Sequence, residues 1–230
     1  MGSLRGGWVR FVESLRTAWP KTACSREVHA LSEHYFTTSP TSAHERRIIY
    51  YTPRGGRELS FETDAGVFSK TRVDRGSDQL IRAIRVDPGQ SVLDLGCGYG
   101  VVGISIATLF PECEIVMTDI NERACELARA NARRNGVERI TVLSGDGFDP
   151  VRGRAFHVIA TNPPIRAGKA VLHQLIEEAR DHLEPGGSFY AVVRTKQGAA
   201  SLKKFIAETY GNADEPEIGG GYRVIRAHRE

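Results

Sequence analysis

Four residues late in the chain, Asn162-Pro163-Pro164-Ile165, combine a side-chain amide with two consecutive prolines. A residue that precedes proline is pushed out of the helical region, so Asn162 and Pro163 are both held in extended backbone. The prolines contribute carbonyl oxygens but no N–H groups. The side-chain oxygen of Asn162 and the carbonyl of Pro163 therefore make two hydrogen-bond acceptors in a stiff fork. A planar –NH2 group, on a base or an amide, offers two donors that match it. Gripping both hydrogens draws the nitrogen lone pair out of conjugation and frees it to attack an electrophile in line. Such chemistry rests on positioning and local polarity and needs no strong base.

The electrophile has a candidate cradle of its own. Val92-Leu93-Asp94-Leu95 reads as a strand, Gly96-Cys97-Gly98-Tyr99-Gly100 as a turn, and residues 101–110 as a helix. A strand feeding a helix through a glycine-rich turn is a small-molecule site on an α/β sheet, because glycine lets backbone approach where a Cβ would collide. Two ligands compete for it. Gly98, Gly100 and Gly103 satisfy the dinucleotide spacing, with Asp119 at about the distance of a ribose-binding acid. Asp94 argues for the other ligand. A pyrophosphate wants bare N–H groups at the helix N-terminus, and a carboxylate directly before the turn repels it. S-adenosylmethionine carries an ammonium and a sulfonium against one carboxylate, so it is net positive and is attracted. Acids also stand at the ends of two later strands, where open α/β sheets hold their ligands. Asp119 is placed to accept from both ribose hydroxyls, and Asp146 from an adenine amino group.

The scaffold that must position these residues is legible as an alternation. From residue 91 onward, strands are predicted over 91–95, 114–118, 140–144, 156–161 and 188–193, with helices over 101–110, 122–135, 169–183 and 199–209. Asn121 caps one helix and Asn135-Gly136 stops it, while Pro185-Gly186-Gly187 closes the next. Two last strands, 213–218 and 222–227, meet at Gly219-Gly220-Gly221. Helix crossovers predict a largely parallel, doubly wound α/β sheet, and the closing hairpin predicts one antiparallel strand. Upstream, 47–52 and 57–63 flank Pro53-Arg54-Gly55-Gly56 as a β-hairpin. A short extended piece follows at Gly66-Val67-Phe68-Ser69, then a helix over 78–85. Residues 1–32, apolar at 8, 11, 12, 15 and 19, read as an extension, helical or partly disordered. Residues 33–230 read as one domain, with 33–76 a hairpin and covering segment and 77–230 the core.

With 40% hydrophobic and 26% charged residues, the chain is an ordinary globular protein long enough for a sizeable core. A net charge of +3 is too small to demand a nucleic acid, and the surplus sits in the N-terminal third. Cys24, Cys97, Cys113 and Cys125 lack metal-ligand spacing and read as reduced thiols of a cytoplasmic protein. No apolar run reaches the length of a membrane span.

Together, Asp94-Leu95-Gly96-Cys97-Gly98-Tyr99-Gly100, Asp119 and Asn162-Pro163-Pro164-Ile165 resemble the small-domain family of class I methyltransferases, the RsmC/RlmG-like group that methylates guanine N2 in ribosomal RNA. The resemblance runs from about residue 33 to 226 and is greatest to single-domain bacterial and archaeal members. It implies a Rossmann-like sheet of seven strands, mostly parallel, with helices on both faces. It implies S-adenosylmethionine held by Phe68, Asp74, Asp94, Gly96, Cys97, Gly98, Gly100, Asp119, Ile120, Asp146, Gly147 and Asn162. The segment from Gly66 to Gly76 covers that cofactor. It assigns catalysis to Asn162, Pro163, Pro164 and Ile165, and substrate phosphates to Arg166, Lys169 and Lys196, with Arg194 nearby. The implied partner is RNA, with no metal and no membrane, for a monomer or homodimer. Two departures stand out. The longer rRNA enzymes carry a second, RNA-binding domain, for which 230 residues leave no room. Many Asn-Pro-Pro enzymes also place Tyr or Phe where Ile165 stands. Adenine N6, a protein glutamine and a catalytically silent RNA-binding role therefore remain alternatives, while an NAD-dependent oxidoreductase is disfavoured by Asp94.

Overall fold

The computed structural model describes residues 46–64, 72–163 and 168–230. The extension at 1–32, the piece around Phe68, and Pro164, Ile165 and Arg166 lie outside the described residues. Strands β1 (Arg47–Tyr51) and β2 (Leu59–Thr63) pair antiparallel, Arg47 opposite Thr63 and Tyr51 opposite Leu59. A second sheet contains β3 (Ser91–Leu95), β4 (Glu114–Asp119), β5 (Ile140–Ser144), β6 (Phe156–Thr161), β7 (Leu183–Arg194), β8 (Asp214–Gly219) and β9 (Tyr222–His228). Its order is β5-β4-β3-β6-β7-β9-β8. Within it β9 alone runs against its neighbours, β7 and β8; the other pairs are parallel. The described helices are α1 (Arg75–Ala83), α2 (Val101–Leu109), α3 (Glu122–Arg134), α4 (Lys169–Asp181) and α5 (Ala199–Tyr210). This is the seven-stranded, doubly wound sheet that the alternation of elements predicts.

The period of two along each strand divides the core between the two faces. Val92, Met117, Val158, Tyr190 and Val224 face α1, α2, α3 and the hairpin residues Leu59 and Phe61. Their neighbours Leu93, Val116, Ile159, Phe189 and Ile225 face α4 and α5. The hairpin docks through amide side chains. Asn131 accepts from Glu62 N–H at 2.7 Å and donates to the Glu62 carbonyl at 2.9 Å. One turn on, Asn135 accepts from Ser60 N–H at 3.0 Å and donates to the Ser60 carbonyl at 2.9 Å. Alternate residues of a strand edge thus meet i, i+4 side chains of α3, which replace a missing strand. Asn131 also donates to the Tyr99 carbonyl at 2.9 Å, so the same side chain steadies the glycine turn.

Several elements differ from the sequence expectation. Helix α1 starts at Arg75, because the Asp74 side chain caps it by accepting from the Gly76 and Ser77 N–H groups at 2.8 and 3.3 Å. Helix α4 ends at Asp181, and β7 begins at Leu183 and runs through Pro185-Gly186-Gly187. The register on β6 shifts there, from Phe156 opposite Leu183 to Val158 opposite Ser188. The Arg229 backbone brackets the irregularity, accepting from Gly186 at 2.7 Å and donating to Gly187 at 2.9 Å. Residues that punctuate a loop in isolation are here a bulge held by tertiary pairing. A 3-10 turn at Asp149–Val151 was not expected.

Asn131 is fully buried, and Asn131→Ala leaves strand-edge and turn groups unpaired. The expected loss is about 2–3 kcal/mol of folding stability, read as a lower urea midpoint at unchanged m-value. A midpoint equal to wild type refutes the docking role.

Candidate active site

The chain passes from β3 outward to β4 and β5, then returns to place β6 on the other side of β3. Ligands of open α/β sheets bind where the order reverses, outside the carboxyl ends of the strands. Leu95 of β3 pairs with Thr161 of β6, so Gly96 and Asn162 leave the sheet side by side.

The turn after β3 is built on left-handed glycines, with φ of 73° at Gly96, 56° at Gly98 and 89° at Gly100. Its N–H groups are tied to the adjoining strand. Gly96 and Cys97 both donate to the Thr118 carbonyl, at 2.8 and 2.9 Å, and Gly98 donates to Asp119 Oδ2 at 2.8 Å. A Cβ at Gly96 would meet open space, and one at Gly103 would lie 2.5 Å from Met117 Sδ. One glycine therefore keeps a cradle clear and the other lets α2 sit against β4. Cys97 contributes its amide. Its buried thiol is pushed well above the usual range by burial and by Asp119 and Asp94, so it stays neutral.

Asp94 is buried near the end of β3. It is only 2% exposed, and Oδ2 accepts from Gly103 N–H at 2.8 Å. The first turn of α2 has N–H groups without helical partners, and Asp94 lies where it satisfies one of them. A pyrophosphate would find that donor already bonded to an acid. Asp94 thus occupies one donor of the α2 N-terminus. Burial pushes the carboxyl up to about 7, against the Gly103 bond that lowers it.

Asp119 accepts from Gly98 on one oxygen and from Asn121 N–H on the other at 2.9 Å. Each oxygen keeps a second lone pair for a hydroxyl. Its carboxyl is raised, chiefly by burial. Ile120 follows it, half-buried. Beyond β5, half-buried Asp146 is pushed up to about 6, first by burial and then by Asp149 and Glu178, and Gly147 turns with φ of 49°.

Asn162 is half-buried, and its Nδ2 donates to Asp74 Oδ2 at 3.2 Å and to Ser77 Oγ at 3.1 Å. Among the described residues, no hydrogen bond engages Asn162 Oδ1 or the Pro163 carbonyl. Asp74, expected beside a cofactor, meets Asn162 directly. Ser77 and Tyr222, whose hydroxyl donates to Asp74 Oδ1 at 3.1 Å, are site residues that sequence reasoning missed. Ser77 was readable from its place in the first turn after the Asp74 cap, whereas nothing local marks Tyr222. Lys169 opens α4 and Lys196 lies in the turn after β7, both exposed. Exposed Arg194 stands 5.2 Å over the Tyr222 ring. Phe68, Pro164, Ile165 and Arg166 lie outside the described residues. Among those described, no cluster of His, Cys, Asp or Glu is arranged to hold a metal, and no helix is long and apolar enough to cross a membrane.

The state of Asp94 is testable through pH. An ordinary aspartate titrates near 3.8 and this one near 7, so the folded chain holds the proton more tightly than the unfolded chain. Stability is fullest below about 4 and is lost as pH rises towards 7. Asp94→Asn can still accept from Gly103 but does not ionise. Thermal melts are expected to show wild type losing ground to the variant between pH 5 and pH 8. A difference that does not change with pH refutes the assignment.

The family model of the methyltransferase small domain matches residues 58–226. The uncharacterised protein YbxB of Bacillus subtilis (strain 168) is 37% identical over 203 residues, covering 86% of this chain and 100% of that protein. Ribosomal RNA small subunit methyltransferase C of Pseudomonas syringae pv. syringae is 33% identical over 168 residues, 71% of this chain and 49% of that protein. The chain thus spans about half the length of that rRNA enzyme. The T. thermophilus 16S rRNA N2 G1207 methyltransferase RsmC, solved in complex with AdoMet and guanosine, has a TM-score of 0.72 at 25% identity over 83% of this chain and 52% of that one. A glycine turn bonded across to Thr118 and Asp119 of the neighbouring strand, within a sequence that the family model covers over most of its length, places the chain in the methyltransferase small-domain family, as an S-adenosylmethionine-dependent methyltransferase.

Proposed function

We propose that this enzyme methylates the exocyclic N2 of a guanine in small-subunit ribosomal RNA, in the cytoplasm. The observation that carries the reading is the orientation of Asn162. Its nitrogen donates to Asp74 and Ser77 and, among the described residues, no hydrogen bond engages its oxygen, beside the glycine turn. An acceptor in that place suits an –NH2 donor. The similarity to RsmC, solved with guanosine, supports guanine as the base.

In this reading Asn162 Oδ1 and the Pro163 carbonyl each accept one hydrogen of the amine. The nitrogen lone pair is then drawn out of conjugation with the ring and directed at the donor. When bound, S-adenosylmethionine supplies a methyl group on a positively charged sulfur, which keeps the S–C electron pair as the N–C bond forms. The proton lost from the amine passes to solvent, so the site needs no resident base. Gly96, Gly98, Asp119 and Asp146 hold the cofactor, with Asp119 towards ribose and Asp146 towards adenine. Cys97, Gly100, Ile120 and Gly147 shape the same wall, and Asp94 acts from beneath the turn. Pro164, by its type, holds Pro163 in extended backbone, and the apolar side chain of Ile165 suits contact with a base. Arg166, Lys169 and Lys196 face phosphates, which position the RNA without reading its sequence. Extracting a paired guanine costs a few kcal/mol, so a single-stranded target is favoured.

Tritiated methyl transfer to small-subunit rRNA transcribed in vitro, followed by nucleoside chromatography, tests the proposal. N2-methylguanosine is the expected product. Asn162→Ala is expected to lower kcat by about 100-fold or more while its affinity for S-adenosylmethionine changes by less than about threefold. Label recovered in N6-methyladenosine or in protein, or full activity in Asn162→Ala, refutes it.

A further inference from the structure

We propose that Asp74 is a positioning residue for the transfer step: its carboxylate takes the –NH2 of the Asn162 amide and thereby holds Asn162 Oδ1 towards the amine to be methylated. The inference rests on the reading of Asn162 given above.

The two ends of an amide side chain have nearly the same shape, and their hydrogen-bond partners decide which end points where. Two groups touch Asn162 Nδ2. The Ser77 hydroxyl, at 3.1 Å, can donate as well as accept, so it tolerates either orientation. Asp74 Oδ2, at 3.2 Å, belongs to a carboxylate and only accepts. Turning the amide over would set Asn162 Oδ1 against that oxygen, acceptor against acceptor. Asp74 therefore selects the orientation in which Nδ2 faces it and Oδ1, without a hydrogen-bond partner among the described residues, faces away.

Asp74 is held from two further directions. Oδ2 accepts from the Gly76 and Ser77 N–H groups at the start of α1. Oδ1 accepts from the Tyr222 hydroxyl at the start of β9. The approach is close: a Cβ at Gly76 would lie 2.7 Å from Asp74 Oδ2 and 2.9 Å from the Tyr222 ring. Capping a helix needs only one side-chain oxygen, which Ser, Thr or Asn supplies as well. Reaching Asn162 and Tyr222 as well needs a longer side chain with two hydrogen-bonding ends. One carboxylate thus joins the first turn of α1, the exit of β6 and the start of β9, three places far apart in sequence.

Asp74→Ser and Asp74→Asn separate the cap from the positioning role. Serine keeps the cap but is too short to reach Asn162. Asparagine caps α1 with its oxygen, still accepts from Asn162 with that oxygen, and turns its own nitrogen to the Tyr222 hydroxyl. Steady-state tritium transfer to in vitro transcribed small-subunit rRNA is measured for both, beside thermal melts. For Asp74→Ser, kcat is expected to fall about 10- to 100-fold, with the KM for S-adenosylmethionine within about threefold of wild type. Asp74→Asn is expected to recover most of the lost kcat. If Asp74→Ser melts far below wild type, Tyr222→Phe replaces it. That variant keeps the cap and loosens the carboxylate, with an expected kcat loss of about 3- to 10-fold at constant KM. A rise in KM at constant kcat makes Asp74 a cofactor contact and overturns the proposal. So does an Asp74→Asn variant as impaired as Asp74→Ser. Full activity in Asn162→Ala overturns the underlying reading instead, whatever the Asp74 variants do.

Discussion

The hydrogen bond from the Gly103 amide to Asp94 is the contact on which the cofactor side depends. It joins the last turn of strand β3 to the first turn of helix α2, across a loop whose left-handed glycines give it no regular partner. With Asp119 holding Gly98 from the neighbouring strand, the loop is closed on both sides before any ligand arrives. Each bond satisfies a backbone N–H of the turn or of the first turn of α2. The cradle is thus pre-organised by two of the protein's own acidic side chains.

The opposite wall of the cleft follows a complementary logic. There the inward-facing group is a donor, Asn162 Nδ2, and its acceptors are Asp74 and Ser77. Satisfying the nitrogen within the protein leaves the oxygen as the end available to a substrate. Acids that bind backbone donors hold the cofactor loop, and an acid that binds an amide donor frees an acceptor beside it. Helix α1 contributes no residue to the glycine turn, yet its N-cap residue Asp74 accepts from Asn162.

Much of this was readable from local pattern. The strand–turn–helix at residues 91–110, the Asn121 cap and the seven strands all obey short-range rules, so the parallel sheet with one antiparallel strand could be anticipated. The hairpin was equally clear as alternation, but not its mooring. Asn131 and Asn135 look like ordinary polar residues of a helix, and only the approach of β2 reveals them as a substitute strand edge. Pro185-Gly186-Gly187 misled for the opposite reason. Its composition signals a loop, yet β6 and the chain end at Arg229 supply the pairing that keeps it in β7.

The sequence alone determined which residues could do chemistry: an amide locked before two prolines, glycines after a buried strand, and acids at successive strand ends. Those are statements about backbone freedom and charge over a few residues, and they need no knowledge of the fold. Tertiary structure decided what each group faces. It buried Asp94 against the first turn of α2, and brought Asp74 to Asn162 and Tyr222 to Asp74 across most of the chain. It also gave the nitrogen of the Asn162 amide its two partners, Asp74 and Ser77. Hydrogen-bond partners are set by proximity in space, and proximity between residues so distant in sequence exists only once the sheet has closed.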